Sequence, residues 1–213
     1  MSQRDLFAPG VVDAAPVVGD ELDRMLTQGP LAELCLDRVL QRCPVSAVKL
    51  VVEPSVGGGA FVRAARKRLP KATVWGVDLD PTARGLELVD RSFVGVDTLD
   101  WAREVDQRPQ LIVGNPPFGP ALEHVEALLA LRPYRLALIL PWDRVGRKGW
   151  HDVFFGEPVE GMTWREVHPI RPRPWGQHVR EVALFVWGQR EPYVQRVLGN
   201  PLLWKASGKG VTR

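Results

Sequence analysis

Residues 111–119 read Leu-Ile-Val-Gly-Asn-Pro-Pro-Phe-Gly, a run fit for a buried strand that turns abruptly into Asn115, Pro116, Pro117 and Phe118. Two prolines remove two backbone donors and fix two φ angles, so this tetrapeptide is a stiffened loop, neither helix nor paired central strand. An amide and a fixed carbonyl beside an aromatic ring suit one kind of substrate group, an exocyclic amine on a planar base. Such an amine is a poor nucleophile because its lone pair is conjugated into the ring. If the Asn115 side-chain oxygen and the Pro116 carbonyl accept its N–H bonds, the lone pair is directed outward and the charge developing on nitrogen is favoured. Phe118 offers a stacking face, worth about 1–3 kcal/mol per base. The competing reading is a rigid strand-to-helix connection with Phe118 in the core, and what the chain supplies upstream decides between them.

Three upstream stretches end on residues able to hold a ligand. In "EPSVGGGAF", residues 53–61, Gly57, Gly58 and Gly59 permit close backbone approach, and the helix expected after them offers free amides. A tight strand-to-helix turn accounts for glycines equally well. Glu53 disfavours a pyrophosphate there and favours a cation. In "GVDLDP", Asp78 ends the next expected strand, where a carboxylate can accept both hydroxyls of a ribose; capping a helix is the alternative. In "GVDTLDW", Asp97 can accept from an adenine amino group. Taken together these positions describe a nucleoside with a positively charged tail and no phosphate, which is S-adenosylmethionine. A dinucleotide is the poorer fit, because the glycine run is not G-x-G-x-x-G.

Placing these residues at strand ends requires an open α/β sheet, and the sequence carries the pattern for one. The spacing predicts a helix from Leu31 to Leu40 and strands over 47–54, 73–80, 93–97, 111–114 and 136–141. Helices are expected over 60–69, 82–89 and 120–131, with a poorly defined helical stretch near 144–155. Strands rich in Val, Leu and Ile alternating with helical periods make a parallel sheet covered on both faces. Two last strands, at 163–170 and 181–188, lack an intervening helix and form an antiparallel edge hairpin. In such a sheet ligands bind beyond the carboxyl ends of the strands. Residues 1–22 and 191–213 are expected to be a flexible N-terminal segment and a tail flanking a domain over 23–190.

Composition is that of a globular chain, with 45% apolar and 25% charged residues in 213. No apolar run is long enough for a membrane span, and the first residues lack the apolar core of a signal peptide, so a cytoplasmic location and no membrane partner are expected. Cys35 and Cys43 read as buried thiols, and no metal-ligand spacing is present. The net charge of +3 hides an asymmetry: residues 1–131 carry 14 Lys/Arg against 18 Asp/Glu, and residues 132–213 carry 14 against 7. Arg132, Arg135, Arg144, Arg147, Lys148, Arg165, Arg171, Arg173 and Arg180 interleave with Trp142, Trp150, Trp164 and Trp175. Cations among aromatics suit phosphates and bases, although such stems also cover sheet edges. Trp142, Arg144, Arg147, Lys148, Arg173 and Trp175 are the candidate substrate contacts, with nucleic acid as the partner.

Over residues 23–188 the sequence resembles the S-adenosylmethionine-dependent amino-methyltransferases, especially the γ-type DNA N6-adenine enzymes. "DRMLTQGPLAELCLDRV" resembles their N-terminal cofactor motif, "EPSVGGGAFVRAARK" their glycine-rich motif, "GVDLDP" the ribose motif, "GVDTLD" the adenine motif and "NPPF" the catalytic motif. The resemblance implies a Rossmann-like class I fold with a seven-stranded, mostly parallel sheet. It implies cofactor contacts from Thr27, Glu53, Pro54, Ser55, Gly57, Gly59, Phe61, Asp78, Leu79, Asp97, Thr98 and Asn115. It implies catalysis by Asn115, Pro116, Pro117 and Phe118. "RPRPWGQHVREVALFVWG" is similar to the last two strands of that fold, which makes Trp175 a candidate for the target pocket. Adenine N6 in DNA is the expected target. An amine of RNA, ribosomal RNA included, is the enzymatic alternative, and a non-catalytic nucleic-acid-binding module is the alternative of another class. The family's usual recognition region has no counterpart in the roughly 25 residues after the last expected strand, so low sequence specificity, recognition by residues 142–175 alone, or a helper subunit would each fit.

Overall fold

The computed structural model describes residues 27–43, 45–155, 162–171, 181–189, 197–198 and 202–203. Helix α1, Gly29–Leu40, starts with Pro30 in its first turn, where a missing N–H costs nothing, and buries Leu31, Ala32, Cys35, Leu36 and Val39 along one stripe. Strand β1, Leu50–Glu53, follows and is buried on both faces. Then come α2, Ala60–Arg68; β2, Thr73–Asp78; β3, Arg91–Val94; α3, Thr98–Glu104; β4, Leu111–Gly114; α4, Ala121–Ala130; β5, Arg135–Pro141; α5, His151–Phe155; β6, Met162–Arg171; and β7, Val182–Gln189.

The strands lie in the order β3-β2-β1-β4-β5-β7-β6. The first five are parallel, and β7 runs antiparallel to both β5 and β6. This is the expected seven-stranded sheet with its antiparallel hairpin. Two further strands of two residues, Val197–Leu198 and Leu202–Leu203, lie inside the stretch read as a tail and pair in parallel with β6.

Alternation along each strand sends side chains to two separate cores. Val51, Val74, Val113, Ala137 and Ile139 meet α1 and α2 on one face. Leu50, Val52, Trp75, Ile112, Leu136 and Leu138 meet α3 and α4 on the other. From β1 the chain steps outward through β2 to β3, then returns to place β4 and β5 on the other side. The strand order therefore reverses between β1 and β4, and ligands of open α/β sheets bind at such a reversal.

Two elements differ from expectation. The stretch 82–89 is a 3-10 turn over Arg84–Leu88 and not an α-helix, because Gly85 is pressed onto the glycine loop and its amide donates to the Gly57 carbonyl at 2.9 Å. The sequence reading passed over α3 altogether. Asp97 starts it, accepting the Leu99 amide at 2.7 Å, and that capping role was hidden behind its reading as a ligand group. Cys35 and Cys43 are both buried free thiols. No described helix is long and apolar enough to cross a membrane, and no metal-binding cluster exists among the described residues.

Candidate active site and cofactor cleft

The carboxyl ends of β1 and β4 touch. A Cβ added to Gly114, the last residue of β4, would lie 3.1 Å from Pro54 Cδ and 3.7 Å from Glu53 Cγ, so the Asn115–Phe118 loop starts flush against the end of β1. The stiffened loop and the glycine-rich loop thus leave the sheet side by side.

Glu53 has a structural role that the sequence reading did not give it. It is 3% exposed, and its Oε2 accepts the amide of Val62 at 2.9 Å. Gly59, the residue before α2, has no side chain to cap the helix, so Glu53 supplies that acceptor from the neighbouring strand. Burial pushes its carboxyl well above the usual carboxylate range, and the nearby Asp78 adds to this against the Val62 hydrogen bond and Arg63. The buried acid thus organises the loop, a structural role beside the cation-binding one expected of it.

Two of the glycines are required by the backbone. Gly57 and Gly59 adopt φ of 48° and 74°, where side chains are strained. Gly59 and Gly85 also lie so close that a Cβ on Gly85 would meet Gly59 backbone atoms at 2.6 Å and Val56 Cγ1 at 2.2 Å. Asp78, half-buried at the end of β2, ties this cradle together: Oδ2 accepts from Gly57 at 2.7 Å and Oδ1 from Asp80 at 2.8 Å. A half-buried carboxylate at the end of β2, beside the glycine loop, is where a ribose would meet an acceptor. Leu79, 45% exposed beside it, offers apolar surface to a flat ring.

The hydroxyls of the neighbouring loops turn inward. Ser55 Oγ donates to the Pro54 carbonyl at 2.8 Å, and Thr98 Oγ1, itself buried, donates to the same carbonyl at 2.5 Å. Pro54, Ser55 and Thr98 therefore hold the β1 end against α3. Phe61, 1% exposed, places its side chain in the core under α2. Thr27 is half-buried just ahead of α1. Asp97 keeps its side chain 36% exposed while Oδ1 caps α3. His124, which the sequence reading did not single out, lies 3.8 Å from Asp97 Oδ1 through its Nε2.

In the loop after β4, Pro116 is buried, Pro117 and Asn115 are half-buried, and Asn115 Oδ1 is shielded from solvent. Phe118 is only 8% exposed and packs in the core on the α1 side of the sheet. The stacking face expected of it is covered in this structure. Arg144 departs further from expectation. It is 7% exposed, its Nη2 donates to the Phe118 carbonyl at 2.8 Å, and its guanidinium lies over the Trp150 ring at 5.7 Å. It braces the loop from a buried position. A lone arginine in a basic stretch carries no sequence signal for that role.

The remaining candidates divide. Trp142, 36% exposed at the end of β5, presents ring surface to solvent. Arg147 and Lys148 are exposed nearby, with Arg147 on Asp143 at 2.5 Å. Trp150 is a core residue stacked on Phe154, and Arg135 is buried, donating to the Tyr134 and Arg42 carbonyls. His151 is a surface residue, and His168 is buried on Glu166 at 3.0 Å. Arg173, Trp175 and His178 lie outside the described residues, as does residue 44 and all before Thr27.

No family model matches the sequence, and no curated protein matches it either. Solved structures do match the fold. A candidate class I S-adenosylmethionine-dependent methyltransferase of Listeria monocytogenes superposes with a TM-score of 0.68 at 13% identity, over 87% of this chain and 68% of that one. The methyltransferase subunit of a type I restriction-modification system from Streptococcus thermophilus gives 0.62 at 14%, over 81% of this chain and 46% of that one. A candidate RNA methyltransferase of Pyrococcus horikoshii gives 0.56 at 15%, over 89% and 98%. The chain spans under half the length of the restriction-modification subunit. The fold is that of the class I methyltransferases, and S-adenosylmethionine is the cofactor expected in their strand-end cleft. The residues here suit it: a glycine cradle with no room for a Cβ, Asp78 at the strand end beside it, and a second, more exposed acid, Asp97, for the base.

Proposed function

We propose that the protein is an S-adenosylmethionine-dependent methyltransferase acting on an exocyclic amine, with adenine N6 in DNA as the target. One observation carries this reading: the Asn115–Phe118 loop begins flush against the β1 end at the strand-order reversal, so an amine held by the loop would lie beside a cofactor held by the glycine cradle. Bound S-adenosylmethionine would supply an electrophilic methyl on a sulfonium. Asn115 Oδ1 and the Pro116 carbonyl accept the amine's N–H bonds and direct its lone pair. The prolines keep those acceptors from swinging away, and Arg144 pins the loop's last carbonyl. The proton leaves the methylated nitrogen for solvent, since an arylammonium is acidic enough to need no strong base. Phe118 must turn out of its buried position to stack on a base.

The exposed Trp142 face with Arg147 and Lys148 supports a nucleic-acid substrate on this rim. RNA is the second reading, favoured by the likeness to the Pyrococcus protein over nearly all of that chain. A helper subunit or low sequence specificity is proposed for target choice. The test is transfer of labelled methyl to duplex DNA, single-stranded DNA, ribosomal RNA and a protein extract, with Asn115→Ala as control. N6-methyladenine in DNA, absent with the variant, is the expected result. Label on RNA or protein alone would move the substrate, and no label with cofactor binding intact would remove the enzymatic reading.

A further inference from the structure

His124 is 3% exposed, and neither ring nitrogen has a hydrogen-bond partner. Buried polar atoms are overwhelmingly bonded, so an imidazole left without partners on both sides asks for an explanation. It stands in the first turn of α4, its amide bonded to the Pro120 carbonyl at 3.1 Å, on the buried face that Ala121, Val125 and Leu128 turn inward. That helix is the continuation of the Asn115–Phe118 loop. Its Nε2 points to Asp97 Oδ1 but stops at 3.8 Å, beyond hydrogen-bonding distance. Asp97 Oδ1 already accepts the Leu99 amide, and its carboxylate is the exposed acid that suits the base of a cofactor bound in this cleft.

We propose that His124 is a positioning residue for recognition of the cofactor's exocyclic amine: its Nε2–H closes on Asp97 Oδ1 when Oδ2 takes the amine, fixing the carboxylate and tying α3 to the helix that follows the catalytic loop. This rests on the reading of the cleft as an S-adenosylmethionine site. The closure is a shift of about 1 Å to reach an ordinary hydrogen-bond length. Burial holds the imidazole below its ordinary pKa, against Asp97 and Glu123, so a neutral ring with one donor is the form present at neutral pH. On the α3 side Asp97 Oδ1 lies 3.8 Å away, and a donor there keeps the acid from rotating off the adenine edge.

The test is calorimetric affinity of wild-type, His124→Phe, His124→Gln, Asp97→Ala and the double variant Asp97→Ala with His124→Phe. Each is titrated with S-adenosylmethionine and with S-inosylmethionine, which carries a carbonyl in place of the amine. His124→Phe should weaken S-adenosylmethionine about tenfold and the inosine compound less than about twofold, the loss of one charge-assisted contact. His124→Gln, which keeps a donor at similar reach, should recover most of the discrimination, and the double variant should bind as Asp97→Ala does. Equal losses with both compounds, no recovery by glutamine, or additive losses in the double variant would each show a purely structural histidine. A purely packing role would not move the ratio between the two compounds. Should wild-type bind neither, the cofactor site falls and this role with it; should it bind both alike, only this role falls.

Discussion

Arg144 Nη2 donates to the Phe118 main-chain carbonyl at 2.8 Å, joining the turn after β5 to the end of the Asn115–Phe118 loop. The guanidinium is buried over Trp150, so this is a contact made away from water, where a charge-assisted hydrogen bond is strongest. Arg144→Met should leave cofactor affinity unchanged and lower turnover roughly 10- to 100-fold, since small displacements of an acceptor set are expensive in rate. Arg144→Lys keeps charge but not the planar reach and should behave nearly as badly. Single-turnover methyl transfer beside calorimetric cofactor binding separates the two effects; a matching loss of cofactor affinity would assign Arg144 to overall stability.

Phe118 is asked to serve both as core and as stacking face. Phe118→Leu retains most of the apolar volume and should cost under about 1.5 kcal/mol in stability. The same change removes the ring, so substrate affinity should fall by about 1–3 kcal/mol. Denaturant unfolding and a substrate titration on the same variant check both figures. Lost stability with unchanged substrate affinity would make Phe118 a core residue alone.

Gly85 marks where the cofactor cradle leaves no room. Gly85→Ala places a methyl 2.2 Å from Val56 Cγ1 and 2.6 Å from the Gly59 backbone, so the glycine loop must move. Strain of this kind is expected to cost about 1–3 kcal/mol. Because Gly85 also bonds the Gly57 carbonyl, cofactor affinity should fall with stability. Thermal melts with and without S-adenosylmethionine measure both: the ligand-induced rise in Tm should shrink in the variant.

Most of the sheet was legible because its strands are short Val/Leu/Ile runs between helical periods, and because the loop from Asn115 to Phe118 announces itself by two prolines. What escaped depended on long-range contact. The residues 82–89 have helical spacing, yet Gly85 must close on Gly59, and no local pattern reports that contact. Asp97 was read for its carboxylate and so its cap of α3 was missed. Glu53, Phe61 and Arg144 also have structural roles that residue type does not announce, capping α2, filling the core and bonding the Phe118 carbonyl. Residue type and strand-end position place a side chain near the cleft; only its packing fixes which way it turns.

Glu53 gives the pH dependence its sign. Its folded-state pKa is raised well above the ordinary 4.5 because the carboxyl is buried, Asp78 adding to this, with the Val62 hydrogen bond and Arg63 opposing. The folded chain therefore holds a proton that the unfolded chain releases above about pH 4.5, and stability falls as pH rises through that interval. The contribution is fully present below the unfolded value and is lost as pH approaches the raised one. Glu53→Gln keeps an acceptor for the Val62 amide and has no proton to lose. Its unfolding free energy should be flat over the pH range in which wild-type declines, and at neutral pH the variant should be at least as stable. Urea unfolding of both proteins from pH 4.5 to 8 tests this; parallel curves would show that Glu53 is ionised in the folded chain and would return it to the role of an anionic contact for the cofactor's positive end.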